Sequence, residues 1–189
     1  MSAPGVTRYR VARLTFDAGQ PYERFRARYE AAVPALSAQR PGAPAGRHAR
    51  LNEISADATS RGPHGFVLYW RAETVPRMTD AGELRPGTAY LMGSDDVSER
   101  AYRQNPAMML YVPLRVLIYI DATDRTRFAV DRPSTLFSGF AEPDIAQAGR
   151  DLDRRLAGLL DALGIAAGRP LRTAAWPATA TVNGHEAAG

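Results

Sequence analysis

Six side chains carry most of the chemistry this sequence offers: His64, Tyr69, Arg71, Arg115, Tyr119 and Asp121. A histidine is the side chain whose charge changes near neutral pH. A tyrosine hydroxyl and a carboxylate can hold or pass a proton to a polar ligand. His64, Tyr119 and Asp121 are therefore the candidates for catalytic proton transfer. Tyr69, Arg71 and Arg115 are the candidates for ligand binding, with guanidinium groups suited to an anion.

Absent residue types narrow the chemistry. The 189 residues contain no cysteine, which excludes disulfides, thiol nucleophiles and thiolate zinc sites. All 24 basic residues are arginine, so Schiff-base lysines and the lysine of a phosphate-binding loop are excluded too. His48, His64 and His185 stand far apart and at no metal-ligand spacing. Met108-Met109 adjoins an apolar run and reads as core packing, and Leu136–Phe140 (LFSGF) lacks the Gly-x-Ser-x-Gly of a nucleophile elbow. No metal and no cofactor are expected.

Composition, with 45% hydrophobic and 23% charged residues, is that of a single globular domain. The net charge of +4 is too small to argue for nucleic acid, since 20 acids nearly balance the arginines. The longest apolar run, Asn105–Asp121 (NPAMMLYVPLRVLIYID), is interrupted by Arg115 and is too short for a membrane span. The N-terminal MSAPGVTRYRVARL lacks the apolar region of a signal peptide, so a cytoplasmic location is expected.

The elements that must position the six residues follow from periodicity. Strands are predicted over Val6–Phe16, near Arg50–Ile54, and over His64–Glu73, Thr88–Met92, the Asn105–Asp121 run and Arg125–Asp131. Helices are predicted after Pro21, where Tyr22, Phe25, Tyr29, Val33 and Leu36 share a face, after Ser94-Asp95-Asp96, and after Pro143. The last carries the stripe Ile145, Ala148, Leu152, Leu156, Leu159 and Leu163, and Gly164 sits where a C-cap belongs. Asp131–Ser134 reads as a strand end turning into a loop, and Arg150–Arg155 (RDLDRR) as a solvated helix face. The order β-α-β-β-β-α-β-β-α with short connections predicts a two-layer α+β domain: a curved antiparallel sheet with its helices on one face. The domain is expected over residues 6–164, with an Ala/Thr/Gly/Pro-rich tail over 165–189.

Side chains alternate along a strand, so parity sorts the faces. Val112, Leu114, Val116, Ile118 and Ile120 form a core face, leaving Arg115, Tyr119 and Asp121 on the other. By the same rule Phe66, Leu68 and Trp70 face the core, and Tyr69, Arg71 and Glu73 the opposite side. The sheet is thus predicted to have one apolar face and one Tyr/Arg/acid face.

The segments GPHGFVLYW (62–70), YLMGS (90–94), NPAMMLYVPLRVLIYID (105–121) and FAVDRPSTLFSGF (128–140), with the closing helix, resemble the family designated domain of unknown function three-zero-two. The resemblance runs from about Tyr9 to Gly164, and its most specific parts are Pro113–Val116 and the pair Pro133-Ser134. It departs where the family often has Gly-Asn-Pro, since Gly93 is followed here by Ser94-Asp95. The resemblance implies a TBP-like, helix-grip α+β fold, often dimeric, and brings no catalytic residues. The functional expectation is a small-molecule-binding domain, extending to a cofactor-free acid/base enzyme of isomerase, cyclase or lyase type acting on a small, partly apolar substrate. The alternative is a non-catalytic module that homodimerises through its Tyr/Arg face. Nucleic acid and membrane are not expected partners.

Overall fold

The computed structural model describes residues 5–35, 62–73, 85–167 and 171. Within them the chain runs β1 (Arg13–Asp17), α1 (Tyr22–Ala32), β2 (Val67–Glu73), β3 (Gly87–Gly93), α2 (Asp95–Gln104), β4 (Leu114–Ile120), β5 (Thr126–Asp131), a short α3 (Pro133–Leu136) and α4 (Pro143–Ala162). The strands form one sheet in the order β1-β5-β4-β3-β2, with every neighbouring pair antiparallel. Helices α1 and α4 bury their apolar sides in the core beneath one sheet face, giving the two-layer α+β arrangement that the element order predicts. The strand expected near Arg50–Ile54 lies outside the described residues, as do His48, His185 and the tail beyond Leu171. Among the described residues no helix is long and apolar enough to cross a membrane.

Local rules explain most element ends. Helix α1 stops at Ala32 because Pro34 pushes the preceding Val33 out of the helical region, to φ −120° and ψ 86°. The chain beyond it then lies along the outer edge of β2, where Leu68 N–H donates to Pro34 O at 2.9 Å and Ala35 bridges Leu68. That contact shields part of an otherwise open strand edge. Strand β1 is shorter than the predicted Val6–Phe16 because β5 ends at Asp131, the partner of Arg13. Pro133 turns the chain into α3 there, so Val6 and Val11 have nothing to pair with and stay exposed.

The apolar run Asn105–Asp121 is a strand only in its second half. The Asn105 side chain accepts from Ala107 N–H at 3.0 Å and starts a 3-10 turn over Pro106–Leu110. A cis Val112–Pro113 bond follows, and the strand begins at Leu114. From there alternation holds as predicted, with Leu114, Val116 and Ile118 fully buried. Each is worth about 1.5–3 kcal/mol of burial. Phe25 and Tyr29 of α1 pack on Phe128 of β5 with ring centroids 6.2 and 5.9 Å apart.

Helix α4 ends in a Schellman motif. Gly164 adopts φ +83°, its N–H donates to Asp161 O at 3.0 Å, and Ile165 N–H reaches back to Leu160 O at 2.9 Å. Ile165, Ala167 and Leu171, which the composition groups with the tail, are buried in the same core. The structure corrects the reading of RDLDRR as a solvated face. Asp153 is only 2% exposed, and its carboxylate accepts from Arg132 Nε at 2.7 Å, Ser134 N–H at 3.0 Å and Ser134 Oγ at 2.6 Å. The segment Pro133–Leu136, expected as a loop, is the short helix that this carboxylate holds.

Candidate functional site

The face of the sheet turned away from the helices carries the site, and strand register builds it. Trp70 of β2 aligns with Leu91 of β3, and Leu91 with Arg115 of β4. On the other edge Arg13 of β1 aligns with Asp131 of β5. The next row toward the far end of the sheet reads Ala72, Ala89, Leu117, Ala129 and Thr15, in register across all five strands. The row after that holds Gly87, Tyr119, Arg127 and Asp17. Three alanines and a threonine, with Leu117 at the centre, therefore form a low floor between two rows that carry the longer side chains Trp70, Arg115, Arg13, Tyr119 and Arg127. The result is a trough of about 620 Å³ lined by Arg13, Thr15, Trp70, Leu91, Arg115, Tyr119 and their neighbours.

The trough brings Arg115 and Tyr119 together, as parity predicts. Arg115 is exposed, and its guanidinium makes no hydrogen bond or ion pair among the described residues. Its neighbours are satisfied: Arg13 grips Asp131 through two hydrogen bonds of 2.8 and 3.1 Å, and Arg127 reaches Asp121 at 2.6 Å and Asp17 at 3.5 Å.

A β-bulge in β2 changes the placement of three residues from the sequence reading. Register slips between Leu68, opposite Met92, and Trp70, opposite Leu91. The extra residue is Tyr69, so the alternation reverses beyond it. Trp70, predicted to face the core, is 44% exposed on the open face. Arg71 and Glu73, predicted on the open face, turn to the helix side instead. Arg71 pairs with Glu30 of α1 at 3.0 Å, and Glu73 with Arg26 of α1 at 2.9 Å. Tyr69 lies over Gly93, where a Cβ would stand 2.8 Å from its ring, and its hydroxyl donates to Asp95 at the start of α2. Tyr69 and Arg71 therefore flank the sheet without lining the trough.

Asp121 and His64 are also placed apart from the trough. Asp121 closes the β4–β5 turn, accepting from Thr123 N–H at 2.8 Å, Thr123 Oγ1 at 2.7 Å and Arg125 N–H at 3.1 Å, besides Arg127. The Thr123 hydroxyl first, and then the Arg127 guanidinium, hold its carboxyl well below the usual carboxylate range. It is a fixed anion at neutral pH and poorly matched to proton transfer there. His64 sits on the helix side, its Nδ1 3.3 Å from where a Cβ of Gly158 would stand, in a separate depression of about 480 Å³ beside Arg154 and Arg155. Arg155 is held there by Asp96 at 2.6 and 2.9 Å. Among the described residues no group of three or more His, Cys, Asp or Glu is placed to hold a metal ion.

The low pKa of Asp121 has a testable consequence. A depressed folded pKa contributes stability above the unfolded carboxylate pKa of about 3.9, and that contribution fades as pH falls through the folded value. Asp121→Asn is expected to melt below the wild type at pH 7, with the gap closing as pH drops below about 4. Thermal melts at both pH values check this, and a gap that widens in acid would contradict it.

Sequence reasoning missed Trp70, Arg13 and the alanine row. In the open-face phase the strands carry Ala72, Ala89, Leu117, Ala129 and Thr15, but only the register lines them up.

Comparison with known proteins gives the family and no activity. No curated protein matches the chain. The crystal structure of an uncharacterized conserved DUF302 protein from Bacillus stearothermophilus is similar to this fold with a TM-score of 0.58. The two are 16% identical, and the match covers 80% of this chain and 97% of that one, a likeness of fold alone. The sequence model of the family described as "Domain of unknown function DUF302" matches residues 64–163, more than half of the 189 residues. Those residues include β2 to β5 and all of α4. The chain belongs to the DUF302 family.

Proposed function

We propose that the open face of the sheet is a binding surface for a small, partly apolar molecule. The observation that carries this reading is Arg115, a guanidinium without a partner among the described residues, in one row with the exposed Trp70 and next to a floor of Ala89, Leu117 and Ala129. The trough volume of about 620 Å³ falls within the roughly 300–1,000 Å³ of ligand sites. Cofactor-free proton transfer of the isomerase, cyclase or lyase type has weaker support. Tyr119 lines the trough, but His64 lies in another depression and Asp121 is committed to its turn. Binding without catalysis is the form the geometry supports best. The finer description of the fold as TBP-like and helix-grip is supported by α4 lying in the core under the strands.

The fluorescent probe 1-anilinonaphthalene-8-sulfonate, a flat apolar anion, tests the reading. It is expected to bind the wild type and to lose about tenfold or more in affinity on Arg115→Ala, the cost of one charged hydrogen bond. Tyr119→Phe is expected to weaken it less. Full binding by both variants places the pocket elsewhere.

A second reading, homodimerisation through the same face, is favoured by its charge balance. Arg13, Arg115 and Arg127 there meet Asp17, Asp121 and Asp131, so two copies would not repel. An unchanged sedimentation coefficient for Arg115→Glu removes this reading.

A further inference from the structure

We infer that the trough takes a planar aromatic monocarboxylate, its carboxylate on Arg115 and its ring lying along the floor of Ala89, Leu117 and Ala129. The inference rests on the reading of this face as a binding surface, and it names the ligand class from charge, shape and apolarity.

Charge comes first. Three guanidinium groups border the floor, and two are spent: Arg13 on Asp131, and Arg127 on Asp121 and Asp17. Among the described residues that border the floor, Arg115 is the one whose positive charge is left for a ligand. One unspent cation balances a monoanion, whereas it would leave one charge of a phosphate dianion uncompensated. The guanidinium fork matches the two oxygens of a carboxylate.

Shape and polarity select the rest. Arg115 and Tyr119 are four residues apart on β4, which sets the two wall rows about 13 Å apart along the strands. Across the strands the floor continues through Ala72, Ala89, Leu117 and Ala129, with no polar side chain until Thr15 on the edge strand. A flat apolar body fits such a floor, and the exposed indole of Trp70 gives it an aromatic partner at one end.

Calorimetric titration of three naphthalene probes separates the terms: 2-naphthoate, the neutral 2-naphthalenemethanol and the cationic 2-naphthylmethylamine. Wild type is compared with Arg115→Met, which keeps an apolar stem, and Arg115→Lys, which keeps a point charge. Arg115 is exposed and makes no hydrogen bond or ion pair among the described residues, so circular dichroism melts are expected to coincide for the three proteins. On the wild type, 2-naphthoate is expected to bind roughly tenfold to a hundredfold more tightly than the alcohol, with the amine weakest. Arg115→Met should close that gap, and Arg115→Lys should restore part of it. If the alcohol matches the naphthoate on the wild type, or the gap survives Arg115→Met, the carboxylate inference falls while the binding face stands. If none of the three probes binds, the reading of the face falls and takes the inference with it.

Discussion

Asp153→Ala is expected to cost about 3–5 kcal/mol of stability, a large share of the roughly 5–15 kcal/mol of a typical domain. The carboxylate is 2% exposed and its partner Arg132 is 3% exposed, so neither charge is solvated. Removing the acid leaves the Arg132 guanidinium buried without the carboxylate that accepts from its Nε. It also takes the acceptor from Ser134 N–H and Oγ at the start of α3. The approach that permits this depends on Gly149, one turn before Asp153 on α4, where a Cβ would stand 2.8 Å from Ser134 Cα. Asp153→Asn keeps an acceptor and is expected to cost less than Asp153→Ala. The double variant Arg132→Leu/Asp153→Leu should be more stable than either single leucine variant, because both buried charges leave together. Urea denaturation followed by circular dichroism reads all of these. A cost below about 1 kcal/mol for Asp153→Ala would show the pair to be solvated and the account wrong.

That pair marks a limit of what the sequence shows. RDLDRR has the spacing of a charged helix face, and nothing local says that one of its acids meets Arg132 across the fold. The central strand β4 was legible because it is flanked on both sides, so burial follows strict alternation and Arg115 and Tyr119 fall on the open face as parity requires. The edge strand β2 was not. One bulged residue at Tyr69 reverses the phase, exchanging Trp70 with Arg71 and Glu73. Bulges favour sheet edges and leave no mark in hydrophobic pattern. The candidates His64 and Asp121 were chosen for their chemistry, and they sit in turns, where periodicity says nothing of direction. The trough itself arises only from register: an alanine in each of β2, β3 and β5 is unremarkable until Ala72, Ala89 and Ala129 align.

Ala129→Phe is expected to weaken binding in the trough sharply while leaving the fold intact. Ala129 lies between Thr15 of β1 and Leu117 of β4 in the floor row, and is only partly buried. Its side chain points away from the helices, so a larger one meets the open trough and not the packed core. Phenylalanine also suits a strand, which makes a melting point near the wild type the expected result. The added ring occupies the slot a planar ligand needs. Overpacking a filled site costs about 1–3 kcal/mol, which corresponds to roughly a 5-fold to 150-fold loss of affinity for 2-naphthoate. Ala129→Ser adds one atom and should bind nearly as the wild type does. Arg115 is untouched in both variants, so a loss confined to Ala129→Phe reports shape and not charge. If Ala129→Phe folds and still binds 2-naphthoate with wild-type affinity, the ligand does not lie on this floor.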